Sequence, residues 1–403
     1  MRPALLSLAV AALLVSIPVG ADDAKPADGY VPMFNGKDLS GWVNVNCAPS
    51  TFFVKDGEII TTGKPTGFLR TEKQYENFEL EMDWMHINTK EVGNSGLFVW
   101  GDPLPAVGTG YTRGIEVQVL VNLEYRDKKT NAITATSHGD LFSIWGATCV
   151  PDRPHPTGAQ RCLPSENRAK GGGEWNHYKV IANDGVIKLH VNGKEVSGVS
   201  KCNPRKGYLA LESEDAECHF KNLKIKELPS TNPKPEEIAK VAEGHTSLFN
   251  GLDLTGWKTK EGAWKASDGK LAAMGKATLS TEKNYDKCEL IFDWRRPAKS
   301  DGQIEVEVGG ITLTALEGRI STNQSPGLGI SVANGSFVFP GKQGVKPGVW
   351  NRATITLDGK SMVVAINGQD IHRAPATDLR TKPISFKAAD GLEIMNVFYR
   401  ELK

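Results

Sequence analysis

Glu116, Gln118, His138 and Asp140 are the side chains whose types and spacing suit acid–base chemistry. Glu116 and Gln118 lie two residues apart in residues 113–120 (R-G-I-E-V-Q-V-L), where the other parity is Ile115, Val117 and Val119. Alternate residues of a strand point to opposite faces, so the apolar set is expected to face a core and Glu116 and Gln118 to line the open face of a sheet. A carboxylate there can act as a general base, or be no more than a solvated strand residue paired with Arg113. His138 and Asp140 belong to S-H-G-D at 137–140. At i and i+2 they could share a metal or act as base and orienter, or form a turn in which Asp140 caps backbone amides.

Around them run G-N-S-G (93–96), P-D-R-P-H-P (151–156) and R-C-L-P-S-E (161–166). Asn94 suits a turn, and His155 is held between two prolines. Trp100, Tyr111 and Trp145 could stack on a flat ligand face or simply pack. Arg161 and Glu166 are candidate rim contacts.

These residues must be positioned by a framework, and the sequence contains that framework twice. F-N-G-K-D-L-S-G-W (34–42) returns as F-N-G-L-D-L-T-G-W (249–257), and T-E-K-Q-Y-E-N-F-E-L-E-M-D-W (71–84) as T-E-K-N-Y-D-K-C-E-L-I-F-D-W (281–294). G-E-W-N (173–176) matches G-V-W-N (348–351), and each is followed by D-G and N-G turns typical of hairpins. Trp175, present in both copies, is expected in the core. Many short alternating runs bounded by Gly, Pro, Asn or Asp predict an all-β chain of two sandwiches, at 31–228 and 245–403. A Pro-rich linker spans 229–244, with a short helix over 236–242. The second copy lacks most of residues 93–166, reads K-S-D-G at 299–302 for G-N-S-G, and places Glu305 in E-V-E against Glu116 in E-V-Q. Loops kept by one copy only are the better candidates for chemistry.

Residues 1–21 read as a secretory signal: Arg2, an apolar run over 4–17, and Val-Gly-Ala before Asp22. A secreted or periplasmic location follows, with no membrane anchor after cleavage. Net charge is +1, which gives no sign of nucleic acid as a partner. Of the six cysteines, Cys149 and Cys162 flank the Pro/His-rich loop and are expected to form a bridge. Cys288 takes the core-facing place of Phe78 and is expected as a buried free thiol. There is no G-x-S-x-G, H-E-x-x-H, P-loop or G-x-G-x-x-G, which disfavours serine hydrolases, zincins and nucleotide enzymes.

Through F-N-G-K-D-L-S-G-W, G-N-S-G, G-I-E-V-Q-V-L, G-E-W-N and F-K-N-L-K-I-K (220–226), the first copy resembles the 3-keto-disaccharide hydrolase family, a concanavalin-like jelly roll. The second copy resembles it through its framework. The resemblance implies export, a carbohydrate substrate, and attack on a glycoside whose sugar is already oxidised at C3. A ketone at C3 acidifies the C2 hydrogen, so a base can take that proton, the C1 substituent leaves, and water adds to the product. Glu116, His138 and Asp140 are the expected catalytic set, and also the expected ligands if a divalent metal takes part. Asn94, Arg113, Gln118, Trp145 and His155 are expected to bind substrate. A lectin-like carbohydrate-binding protein is the competing reading; it would not need the acid–base trio to converge.

Overall fold

A computed structural model describes residues 28–297, 304–318, 327–332, 335–339 and 348–403. The expected signal segment and K-S-D-G lie outside them. Alternation decides the strands. Phe78–His86 buries every second residue, and its Phe78, Leu80, Met82 and Trp84 enter the first core with Ile115, Val117 and Val119. The first domain is a sandwich of two antiparallel sheets. The sheet that carries Glu116 runs, edge to edge, through Arg161–Cys162, Leu141–Ile144, Gly114–Val121, Gly93–Gly101, Tyr208–Ser213, Gly67–Thr71 and Trp42–Val45. The sheet behind it is centred on Asn176–Asn183, Phe78–His86 and Cys218–Glu227. The insert adds the hairpin of Glu124–Arg126 and Ile133–Thr136, which forms its own small sheet.

The second domain repeats the sandwich, and its register corrects one expectation. Trp42 pairs with Thr71 as Trp257 pairs with Thr281, which aligns the two sheets strand for strand. In that frame Ile304–Val308 stands where Gly93–Gly101 stands, not where Gly114–Val121 does. Glu305, paired with Lys387, therefore occupies the place of Gly96, and Thr312 the place of Glu116. The E-V-x pattern misled because any half-buried strand alternates this way, and loss of the long loops removed the spacing that would separate neighbouring strands.

The domains share a core. Val45, Phe68, Phe98 and Ala210, on the outer face of the Glu116 sheet, pack against Ile291 and Phe398 of the second domain. Residues 229–244 lie along the first domain as a strap: Pro229 O accepts from Asn77, Glu237 pairs with Arg205, and Lys240 N donates to Asp102. The expected short helix is only a 3-10 turn at Pro235–Glu237. Trp175 is half-buried beneath Lys221 rather than in the core.

All six cysteines are free and buried. Cys288 sits in the second core as its register requires. The expected Cys149–Cys162 bridge is absent: Cys149 Sγ donates to Gln160 O at 3.4 Å, whereas Cys162 Sγ lies 3.4 Å from Arg153 Nη2. Arg153 also binds Leu163 O, so hydrogen bonds rather than a crosslink hold this loop.

Candidate functional site

The outer face of the Glu116 sheet divides in two. The second domain covers the apolar half. The other half carries Glu116 and Gln118 from one strand, Asn94 and Gly96 from the next, and Glu212 from the one beyond, with Glu214 at its end. The register places Phe98 opposite Glu116, Gly96 opposite Gln118, and Asn94 opposite Glu214. Gly96 leaves the gap they share: a Cβ there would lie 2.8 Å from Glu212 Oε2 and 3.1 Å from Glu116 Oε1. The two carboxylates thus converge over a point of the sheet with no side chain.

Their environments differ. Glu212 is fully buried and neither carboxylate oxygen has a hydrogen-bond partner among the described residues. Burial, with Glu116 and Glu214 nearby, pushes its pKa well above the usual carboxylate range and favours the protonated form. Burial and the charge of Glu214 push Glu116 up to about 8, while Arg161 works in the opposite direction. Glu214 is raised by burial too, but it accepts hydrogen bonds from Tyr111 Oη and Asn94 Nδ2, and the Tyr111 bond favours its ionised form. Gln118 Nε2 donates to Asn94 Oδ1 at 2.9 Å, and Arg161 Nη2 donates to Gln118 Oε1 at 3.3 Å. Trp145 is 51% exposed and stacks on Tyr111 with a 10° interplanar angle.

Several expected roles change. Asp140 is not placed to move protons: its carboxylate accepts from Thr136 N and Oγ1 at 2.9 and 2.6 Å and pairs with Arg161 at 2.7 Å. It positions Arg161, the cation nearest Glu116. His138 is half-buried, with a long 3.5 Å contact to Ser137 Oγ and no bond to Glu116 or Asp140; burial keeps its pKa below the ordinary value. His155 is buried between Thr157 Oγ1 and Thr134 O, tying its loop to the added hairpin. Arg113 forms an ion pair with Asp102 and faces a cleft between the domains, as does Trp145.

Among the described residues no group of three His, Cys, Asp or Glu is arranged to hold a metal. The expected Glu116–His138–Asp140 set does not fit one, because Arg161 and Thr136 already use the Asp140 carboxylate.

Sequence reasoning missed Glu212 and Glu214. Their signal was A-L-E-S-E-D at 210–215, an alternating run with both glutamates on one face. The second domain has Lys387 in the place of Glu212, and it pairs with Glu305 at 3.4 Å. The copy thus has a threonine and a lysine in the places of the acidic pair.

Fold and face together define a jelly-roll domain of concanavalin-like type with an acidic cluster on one sheet. The chain belongs to the 3-keto-alpha-glucoside-1,2-lyase-like domain family, whose model matches residues 29–226 and 244–403. A protein of Bacteroides thetaiotaomicron named 3-keto-disaccharide hydrolase is 27% identical over 188 residues, covering 42% of this chain and 58% of that protein's length. A solved structure from Parabacteroides distasonis ATCC 8503, a candidate glycosyl hydrolase by name, is 23% identical. It covers 52% of this chain and 98% of its own, with a TM-score of 0.38. A Bacillus licheniformis β-glucanase is 9% identical, covering 37% of this chain and 94% of its own, with a TM-score of 0.31.

Proposed function

We propose that the protein is exported and that its first domain cleaves the glycosidic bond of 3-keto-glycosides, 3-keto-disaccharides among them, by elimination and hydration. The observation that carries this reading is the convergence of Glu116 and Glu212 over Gly96, with Thr312 and Lys387 in their places in the second copy. Two buried carboxyl groups that influence each other do not both ionise readily; one keeps its proton and serves as acid while the other serves as base. Glu116, closer to Arg161, ionises first and is the base. Glu212 is the acid.

Glu116 takes the C2 proton, and the C–H electron pair moves onto the C3 oxygen as an enolate. Arg161, held by Asp140 and Gln118, supplies positive potential near that charge. The enolate then re-forms the C3 carbonyl, C1=C2 forms, and the C1–O bond breaks. Glu212 protonates the departing oxygen. Water adds its hydroxyl to C1, and Glu116 returns its proton to C2 while Glu212 regains one from that water. The net change is hydrolysis to a 3-keto sugar and an alcohol. The name of the Bacteroides relative agrees with this substrate.

The test is turnover of a 3-keto-glucoside in D2O, followed by NMR. Deuterium should appear at C2 of the product, because the carboxyl proton of Glu116 exchanges with solvent before it is delivered to C2, and Glu116→Gln should stop both cleavage and exchange. Equal cleavage of the unoxidised glucoside, without deuterium at C2, would sink the mechanism. Saturable sugar binding without any cleavage would favour the lectin-like reading.

A further inference from the structure

The two domains form a cleft of about 1110 Å³, linked to the acidic cluster through Trp145, which lines it, and Tyr111, which stacks on Trp145 and donates to Glu214. The first domain contributes Arg70, Arg113 and Trp145; the second contributes Trp350, Asn351 and Arg352. Arg113 and Arg352 are neutralised by Asp102 and Asp293. Arg70 is not. It is only 6% exposed, Nε donates to Pro103 O at 3.2 Å, Nη1 donates to Thr71 O at 2.9 Å, and the guanidinium lies 4.7 Å from the centre of the Tyr208 ring. No carboxylate pairs with it among the described residues, and its Nη2 donors are unused in these bonds. A buried cation without a counter-charge is costly. The sheet does not require it, since the second copy has Ser280 at this register position. Arg70 and Glu116 lie in one row of the sheet, separated by Ala210 and Phe98. Three inter-strand spacings put them about 14 Å apart. Trp145 stands at the junction, one face stacked on Tyr111 and much of the ring exposed at the cleft.

We infer that the cleft is a leaving-group subsite. It takes the sugar residues attached through the scissile oxygen, with Trp145 as stacking platform and Arg70 as the buried donor to their oxygens. Indoles, amides and guanidinium groups around a deep cleft are the chemistry that binds carbohydrate. The inference rests on the glycoside-cleaving reading above and adds that the substrate extends beyond a single sugar on the leaving side. It also gives the second domain a role, since half the cleft wall belongs to it.

The experiment compares two 3-keto-glucosides, one with a methyl leaving group and one with an oligosaccharide leaving group. The variants are Arg70→Met and Val349→Trp; Val349 is 51% exposed on the cleft wall, so tryptophan there fills space without touching the acidic cluster. For the oligosaccharide substrate, KM should rise about 10-fold or more in both variants. Both constants for the methyl glycoside should stay unchanged. Equal effects on the two substrates, or none on either, would overturn the subsite. Calorimetric titration with the free oligosaccharide separates the two layers of the argument. If no 3-keto-glycoside is cleaved, the catalytic reading fails, yet binding to the wild type that is lost in both variants still supports a sugar cleft. Absent or unaltered binding overturns it.

Discussion

Glu116 and Glu212 lean over the same glycine from the strands on either side of it, and Gly96 is the place where a methyl group would meet them both. The pair is assembled from three strands of one sheet, so no local motif encodes it. Its chemistry comes from what surrounds it: Arg161 beside Glu116, and no hydrogen-bond partner for the Glu212 carboxylate among the described residues.

Removing either carboxylate should stop turnover with opposite signs for activity and stability. Loss of a general acid or base costs about 10²- to 10⁴-fold in rate. Glu116→Gln and Glu212→Gln should each show this in kcat. Glu212→Gln also removes a group whose ionisation is opposed by burial, so at pH 8 it should melt about 2 °C or more above the wild type. Differential scanning fluorimetry against pH checks it. A Glu212→Gln variant that kept full activity would remove this residue from the mechanism.

The same groups set the pH dependence. Glu116, Glu212 and Glu214 have folded pKa values raised above those of the unfolded chain, so the folded state binds more protons than the unfolded one above about pH 4.5. Stability should therefore fall as pH rises from about 4.5 through about 8, the reverse of a salt-bridged carboxylate. Activity should move the other way, kcat/KM rising through about 8 as Glu116 ionises. Arg161→Met removes the charge that favours ionised Glu116 and should shift that limb to higher pH. A flat profile over pH 6–9, assayed at about half-unit steps, would exclude Glu116 as the base.

The sequence carried the fold well because framework and register are written in alternation and turns: Phe78, Leu80, Met82 and Trp84 point inward, as do Ile115, Val117 and Val119. It also placed Glu116 and Gln118 on the opposite face. The site was only half legible. Which strands neighbour one another is not a local property, so Glu212, almost a hundred residues away, could not be joined to Glu116. His155 and Asp140 drew notice as loop residues with functional groups, but their partners are backbone atoms, Thr136, Thr157 and Arg161. Those partners decide between chemistry and support, and they appear only in three dimensions.

The second copy supplies a control. Glu305→Gln and Lys387→Met break an exposed pair at the positions of Gly96 and Glu212, and exposed pairs contribute about 0–1 kcal/mol. Neither should change activity. Gly96→Ala should reduce it strongly, because the added methyl forces Glu212 or Glu116 aside. Kinetic comparison of the three variants at one pH is sufficient. An active Gly96→Ala with unchanged kcat would show that the two carboxylates need not converge there.

His138 gives a sharper test of the assignments. As a neutral, half-buried side chain bonded only to Ser137, it should be replaceable: His138→Ala should retain activity within about 10-fold, well short of the loss of a general base. A loss equal to that of Glu116→Gln would return it to the catalytic set.

The second domain should also reach the active face through Asp293. This carboxylate is fully buried and accepts from Arg352 Nε at 2.7 Å, from Asn396 Nδ2 at 2.6 Å and from Gly108 N at 2.9 Å. Gly108 has φ +73° and no room for a side chain against Trp350, so the segment carrying it is seated on the second domain at one point. That segment leads directly to Tyr111, whose hydroxyl donates to Glu214 and whose ring supports Trp145. Asp293→Asn keeps the shape but weakens the charge-assisted bonds, and a small displacement of a positioning group costs about 10-fold or more in rate. Tyr111→Phe removes the same contact at its far end. If Asp293 acts through Tyr111, the double variant should be no slower than the worse single one, a non-additivity that general loss of stability would not produce. Additive losses in kcat, measured below the melting temperature of every variant, would leave Asp293 as a purely structural residue of the domain interface.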